Sequence, residues 1–112
     1  MADFIDQKSN TAYFHGNQAA YVQNFDNIVL IKPKHIFLPI KPVNMRKITI
    51  FNYTGNIITI DSNYKTDLIH NSFYAPMGSK TITLENNRMA IFHFICDFTK
   101  ASRAGVWYMI HN

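Results

Sequence analysis

Residues 47–61 read KITIFNYTGNIITID, and this stretch decides the fold class. Side chains alternate on both sides of a short Asn-Tyr-Thr-Gly-Asn break: Ile48 and Ile50 fall on one face, Lys47, Thr49 and Phe51 on the other. A period of two marks a strand with one buried face. Gly55 offers the positive φ that a tight connection often needs. The stretch therefore predicts a β-hairpin, a piece of scaffold that carries no catalytic group.

Outward from it, short apolar runs recur at the spacing of all-β proteins, at residues 19–23, 28–31, 35–38, 67–70, 80–85, 89–96 and 105–111. None is long enough for a helix, and good helix formers are scarce: Ile far outnumbers Leu, and Glu85 is the only glutamate. Pro33, Pro39 and Pro42 bracket the run at 35–38 and predict an edge strand or extended crossover there. Asn86 and Asn87 predict a second hairpin between 80–85 and 89–96, and residues 99–104 join 89–96 to 105–111 as a third. No internal repeat is visible in the residue types. The first 18 residues, MADFIDQKSNTAYFHGNQ, hold no sustained period and end on Gly16-Asn17. They predict an irregular extended arm over 1–18, followed by one β-domain over 19–112. The expected architecture is all-β, a small antiparallel β-sandwich or jelly-roll-like barrel with an N-terminal arm.

The chain of 112 residues is one domain's worth of sequence, with 47% hydrophobic and 14% aromatic residues to fill a core. Charged residues make up only 16%, against roughly 25% in an average soluble domain. So little charge goes with surface that a partner or further copies cover. Residues 89–96 place Met89, Ile91, His93 and Ile95 on one face and Ala90, Phe92, Phe94 and Cys96 on the other. Residues 105–111 set Val106, Tyr108 and Ile110 opposite Trp107 and Met109. One small chain has difficulty covering both faces of two such strands. A homo-oligomer, a trimer in particular, is expected, with Phe92, His93, Phe94, Trp107 and Met109 at the subunit interface.

Chemistry finds little support. Cys96 is the only cysteine, so an intrachain disulfide or multi-thiolate metal site is excluded, and its apolar setting predicts an inert, buried thiol. The five histidines stand singly, without the spacings that gather metal ligands. Asp61, Asp67, Glu85 and Asp97 fall at strand ends and turns, where an acidic side chain commonly bonds local backbone. No GxSxG, P-loop or GxGxxG pattern occurs. Neither an enzyme, a cofactor nor a bound metal is expected. Asp3, Asp6 and Lys8 interrupt the first residues, and no apolar run approaches the roughly 20 residues of a membrane span, so synthesis in a cytoplasm without a membrane partner is expected.

Lys32, Lys34, His35, Lys41, Arg46 and Lys47 form a basic segment within a net charge of +4. On a nucleic-acid-binding barrel such cations would neutralise phosphates while Phe37, Phe51 or Tyr53 stacked on bases. The blander reading has lysines beside prolines keeping an edge strand soluble. It is preferred, because no nucleic-acid signature accompanies the charge. The same charge would also suit an acidic protein surface.

Three segments in order, KITIFNYTGNIITI, KTITLENNRMAIFHFI and GVWYMIHN, resemble the short β-domains of tailed-bacteriophage fibre, spike and decoration proteins. There a G-x-ITI-x-N-x-TG-x-x-ITI hairpin precedes a TL-x-x-x-x-x-A-x-F pair and a closing G-x-W-x-x-I strand. The matching positions are Ile48, Thr49, Ile50, Asn52, Thr54, Gly55, Ile58, Thr59 and Ile60, then Thr83, Leu84, Ala90 and Phe92, then Gly105, Trp107 and Ile110. Arg46-Lys47 departs from the Gly-Lys entry common in that pattern, and the first third of the chain lies outside the resemblance. The resemblance implies a non-enzymatic virion protein that works by assembly, a capsid decoration or cement protein or a head fibre. Its arm, anchored by Phe4, Ile5, Tyr13 and Phe14, would run over the major capsid protein or another virion protein while the β-domain packs on its own copies. The alternative within the same resemblance is a receptor-binding fibre or spike tip, with Tyr53, Tyr64 and Tyr74 contacting a cell-surface glycan.

Overall fold

A computed structural model describes residues 2–63, 68–71, 79–96 and 105–111. Its strands are β1 (Phe4–Asp6), β2 (Thr11–Phe14), β3 (Ala20–Tyr21), β4 (Asn27–Leu30), β5 (His35–Phe37), β6 (Lys47–Asn52), β7 (Ile58–Asp61), β8 (Leu68–Asn71), β9 (Thr81–Leu84), β10 (Met89–Cys96) and β11 (Gly105–His111). The described residues contain no helix. Each apolar run read from the sequence overlaps a strand.

The strands form a seven-stranded sheet in the order β1-β2-β4-β6-β10-β11-β8 and a four-stranded sheet in the order β3-β5-β7-β9. From β2 to β7 the chain alternates between them. As a result β2, β4 and β6 lie side by side and parallel in one sheet, and β3, β5 and β7 do the same in the other. The inward side chains show why the coils stack. Buried pairs recur at Ala12/Phe14, Ala20/Val22, Ile28/Leu30 and Ile36/Leu38, eight residues apart, then at Ile48/Ile50 and Ile58/Ile60. Register sets Ala12 beside Ile28 beside Ile50, and Ala20 beside Ile36 beside Ile60. Each coil buries its apolar pairs only when the next is laid on it, the logic of a stacked repeat. The repeat lies in burial and not in residue identity.

Antiparallel strands complete both sheets. β1 folds back on β2, β9 pairs with β7, and β10 pairs with β6 and β11, while β8 runs parallel to β11. Inward residues from both sheets form one cluster, whose bulkiest fully buried members are Trp107, Phe92 and Phe94. Phe94 and Trp107 meet with ring centroids 5.1 Å apart, and Phe94 also covers Gly105, where an added Cβ would fall 2.7 Å from its Cε1 and 2.8 Å from the Ile95 carbonyl oxygen. Gly105 leaves the room that Phe94 occupies.

Several expectations are corrected. Residues 47–61 do not form a hairpin: β6 and β7 lie in different sheets, joined by an arch across the core. Ile48 and Ile50 do share the buried face and Gly55 does adopt a positive φ of 81°, as the alternation implies. A hairpin and an arch both require two alternating strands and a turn, so the pattern does not separate them. The turn at Asn86-Asn87 is likewise an arch, from β9 to β10, with Asn87 at a positive φ of 61°. Only the pairing of 89–96 with 105–111 is antiparallel as expected; the link 99–104 lies outside the described residues. β5 is an inner strand and not an edge, because Pro33 and Pro39 sit just outside its three residues and cost it no ladder bond. The sheets are mixed and not antiparallel. Nor is 1–18 an irregular arm, for it supplies β1 and β2, with Ala12 and Phe14 in the core.

Candidate interaction surface

The outer face of the seven-stranded sheet presents side chains in rows set by register. One row runs Phe4, Tyr13, Val29, Phe51, Met89 across five strands. A second brings Thr49, Ile91 and Ile110 together, a third Lys47, His93, Tyr108 and His70, and a fourth sets Ile95 beside Val106. Aromatic contacts follow the rows: Phe4 meets Tyr13 edge-on at 5.4 Å and His70 meets Tyr108 at 5.6 Å. Such cross-strand pairs stabilise the sheet while their outer surfaces stay in water. Phe4 is 59% exposed, Ile110 55%, Tyr108 40% and Ile95 37%. Scattered apolar residues on a surface are ordinary, but Ile95, Tyr108 and Ile110 are exposed together on the neighbouring strands β10 and β11, apart from Phe4 on β1.

The expected interface residues separate on this geometry. Phe92, Phe94, Trp107 and Met109 point inward and are at most 2% exposed, so they build the core and cannot meet another subunit. His93 alone of that set stands on the outer face, half-buried between Lys47 and Tyr108. The sequence showed both faces of β10 and β11 to be apolar without saying which turned inward. Alternation alone therefore does not single out Ile91, Ile95, Tyr108 and Ile110 as the outward set. Of the expected arm anchors, Phe14 is core at 3% exposure, Tyr13 is half-buried, and Phe4 and Ile5 are exposed on β1. Among the tyrosines of the receptor-tip alternative, Tyr53 is exposed and stacks parallel to Phe51 at 6.1 Å, while Tyr64 and Tyr74 lie outside the described residues.

The charged groups near this face hold local structure. Arg46 donates from Nη1 to Asp26 Oδ1 at 2.8 Å and to the Lys47 carbonyl, and from Nη2 to the Phe25 and Gln23 carbonyls. That fork ties the turn before β4 to the start of β6, so Arg46 is a clamp and not part of a loose basic patch. Lys32, Lys34, Lys41 and Lys47 are exposed. Asp3 accepts from the His15 N–H at 2.5 Å and the Gly16 N–H at 3.1 Å. The His15 amide above all holds the Asp3 carboxyl below its ordinary value, against the opposing effect of lost hydration and with help from the Gly16 amide. Cys96 is half-buried against the core, and Asn44 Oδ1 accepts its backbone N–H. Among the described residues no three His, Cys, Asp or Glu side chains converge on a common point.

No family model matches the chain, and no curated protein is similar to it at a significant level.

Proposed function

We propose that this chain is a non-enzymatic structural protein of a bacteriophage virion, a capsid decoration or head-fibre protein that acts by covering the outer face of its seven-stranded sheet. The observation that carries the assembly part is the exposed apolar group Ile95, Tyr108 and Ile110 on the outer face of β10 and β11, on a chain with only 16% charged residues. The virion part rests on the resemblance of the ITI, TL-x-x-x-x-x-A-x-F and G-x-W-x-x-I segments. Their split between two sheets keeps the strands of that pattern and not its hairpin. In this reading the two sheets are the layers of a small sandwich, and further copies pack on the larger layer as a trimer beside a capsid protein. The Arg46 clamp draws one cation out of the segment that a nucleic-acid partner would use.

Light scattering on the 13.0 kDa chain at micromolar concentration tests assembly. The expected result is an oligomer that the outer-face pair Ile95→Glu with Ile110→Glu converts to a folded monomer. A wild-type chain that stays monomeric throughout overturns it. Immunogold labelling of intact phage particles tests location, with label on the capsid expected and label confined to the tail tip pointing to the receptor-binding alternative.

A further inference from the structure

We propose that a cleft at one end of the four-stranded sheet binds a neutral sugar ring. The site is on the other sheet from the assembly face and does not depend on it. β3, β5 and β7 run parallel with Tyr21, Phe37 and Asp61 in register, so the chain leaves all three strands at the same end. A cleft of about 330 Å³ opens there, at the small end of the range for ligand sites. Its lining includes Tyr21, Gln23, Asn24, Phe37, Ile40 and Asn63, and none of the described residues that line it carries a formal charge.

One wall is aromatic and stiff. Tyr21, 49% exposed, stacks on Phe37 at 4.9 Å and 18°, and Phe37 stacks on His35 at 4.4 Å and 25°. The next groups along are amides. Gln23 and Asn63 occupy equivalent positions, each two residues past a registered strand end, and both adopt positive φ, 53° and 64°. That conformation suits Asn but is unfavourable for Gln, and such departures gather at ligand sites. The backbone here is fixed: Arg46 Nη2 donates to the Gln23 carbonyl, Asn10 Nδ2 to the Asn24 carbonyl, and the Asn63 N–H to Asp61 Oδ1. The side-chain amides of Gln23, Asn24 and Asn63 make no hydrogen bond to the described residues.

An aromatic face beside three amides on a held backbone, each both donor and acceptor, matches a pyranose: its C–H face lies on Tyr21 and its hydroxyls pair with the amides. A phosphate or carboxylate ligand would find no cation among the described residues of the lining. An apolar one would strip water from the amides without replacing its hydrogen bonds. Because the backbone is already held, binding has only the side chains to order.

Titration of the ¹⁵N-labelled full chain with chitotriose, cellotriose and maltotriose, and with AMP as a stacking control, tests this. Saturable shifts centred on residues 21–24, 37–40 and 63 are expected with at least one of the sugars. Tyr21→Ala should weaken binding by about tenfold or more, the loss of one stacking face. Tyr21→Phe should retain it. The pair Gln23→Gly with Asn63→Gly keeps the positive φ and removes two amides, and should also weaken binding. The proposal is overturned if none of the three sugars moves these signals, if binding survives both the alanine and the glycine variants unchanged, or if only AMP binds.

Discussion

Asn52 is the residue at which the chain turns from one sheet to the other. It ends β6 pointing inward, 1% exposed, where an amide must find partners or destabilise the fold. Its Nδ2 donates to the Asn56 carbonyl at 2.8 Å and to the Leu84 carbonyl at 2.9 Å, while its Oδ1 accepts from the Thr54 N–H and hydroxyl. Its own N–H donates to the Arg88 carbonyl and its carbonyl accepts from the Asn87 N–H, so the arch at 53–57 is clasped to the one at 86–87. The Gly55 N–H donates to Asn86 Oδ1 and closes the clasp. Asn52→Ala leaves the buried Leu84 carbonyl and the part-buried Asn56 carbonyl without their donor and should cost about 2–4 kcal/mol in chemical denaturation, at roughly 1–3 kcal/mol for the buried group left unpaired and less for the other. A loss below about 0.5 kcal/mol, the range of ordinary surface substitutions, would show the clasp to be dispensable. The positive φ at Gly55 was legible in the sequence because it is a property of one residue. The role of Asn52 was not, since its partner Leu84 is 32 residues away and an asparagine before a turn reads as local turn chemistry.

At the scale of elements, alternation revealed which runs are strands and which residues share a face, but not which strands pair. Residues 48–50 and 58–60 look like hairpin partners because they are adjacent and alike. In the structure they lie in different sheets, and each takes its ladder from a strand of another coil. Eight-residue spacing of buried pairs from Ala12 to Ile36 was the available signal, masked by the change from Ala and Phe to Ile and Leu. β1 shows how a short edge element is held: three residues pair with β2, and Asp3 caps the far end by accepting from the His15 and Gly16 amides. A carboxyl whose pKa is lowered by folding contributes stability that is present above its unfolded value and is lost as pH falls through the folded one. The exchange protection of the His15 and Gly16 amides should therefore hold at neutral pH and disappear as pH drops below the usual carboxylate range. Asp3→Asn should remove most of that pH dependence while leaving β2 intact. Equal pH dependence in the variant would assign it to another group.

Across the whole molecule, the decisive question is where the folding unit begins. An arm over 1–18 would be removable, and residues 19–112 would fold alone. The structure requires otherwise, because β2 is the parallel neighbour of β4 and covers it with Ala12, Phe14 and the buried Thr11. Cutting at residue 19 discards those side chains and exposes Ile28 and Leu30 on an unpaired edge, where apolar side chains and free ladder groups both invite association. Burial of Phe14 alone accounts for about 1.5–3 kcal/mol, and loss of the ladder and of cover on Ile28 and Leu30 brings the total to the order of 5 kcal/mol. That is a large share of the roughly 5–15 kcal/mol by which a domain is stable. The fragment 19–112 should therefore unfold without a cooperative transition or aggregate. Removing residues 1–8 strips β1, whose Phe4 and Ile5 are already exposed, together with Ala2 and the Asp3 cap, and should leave a cooperative transition lowered by a few degrees. Thermal melts of the two truncations separate the readings, and a fragment 19–112 that melts as sharply as the full chain would return the first 18 residues to the status of an arm.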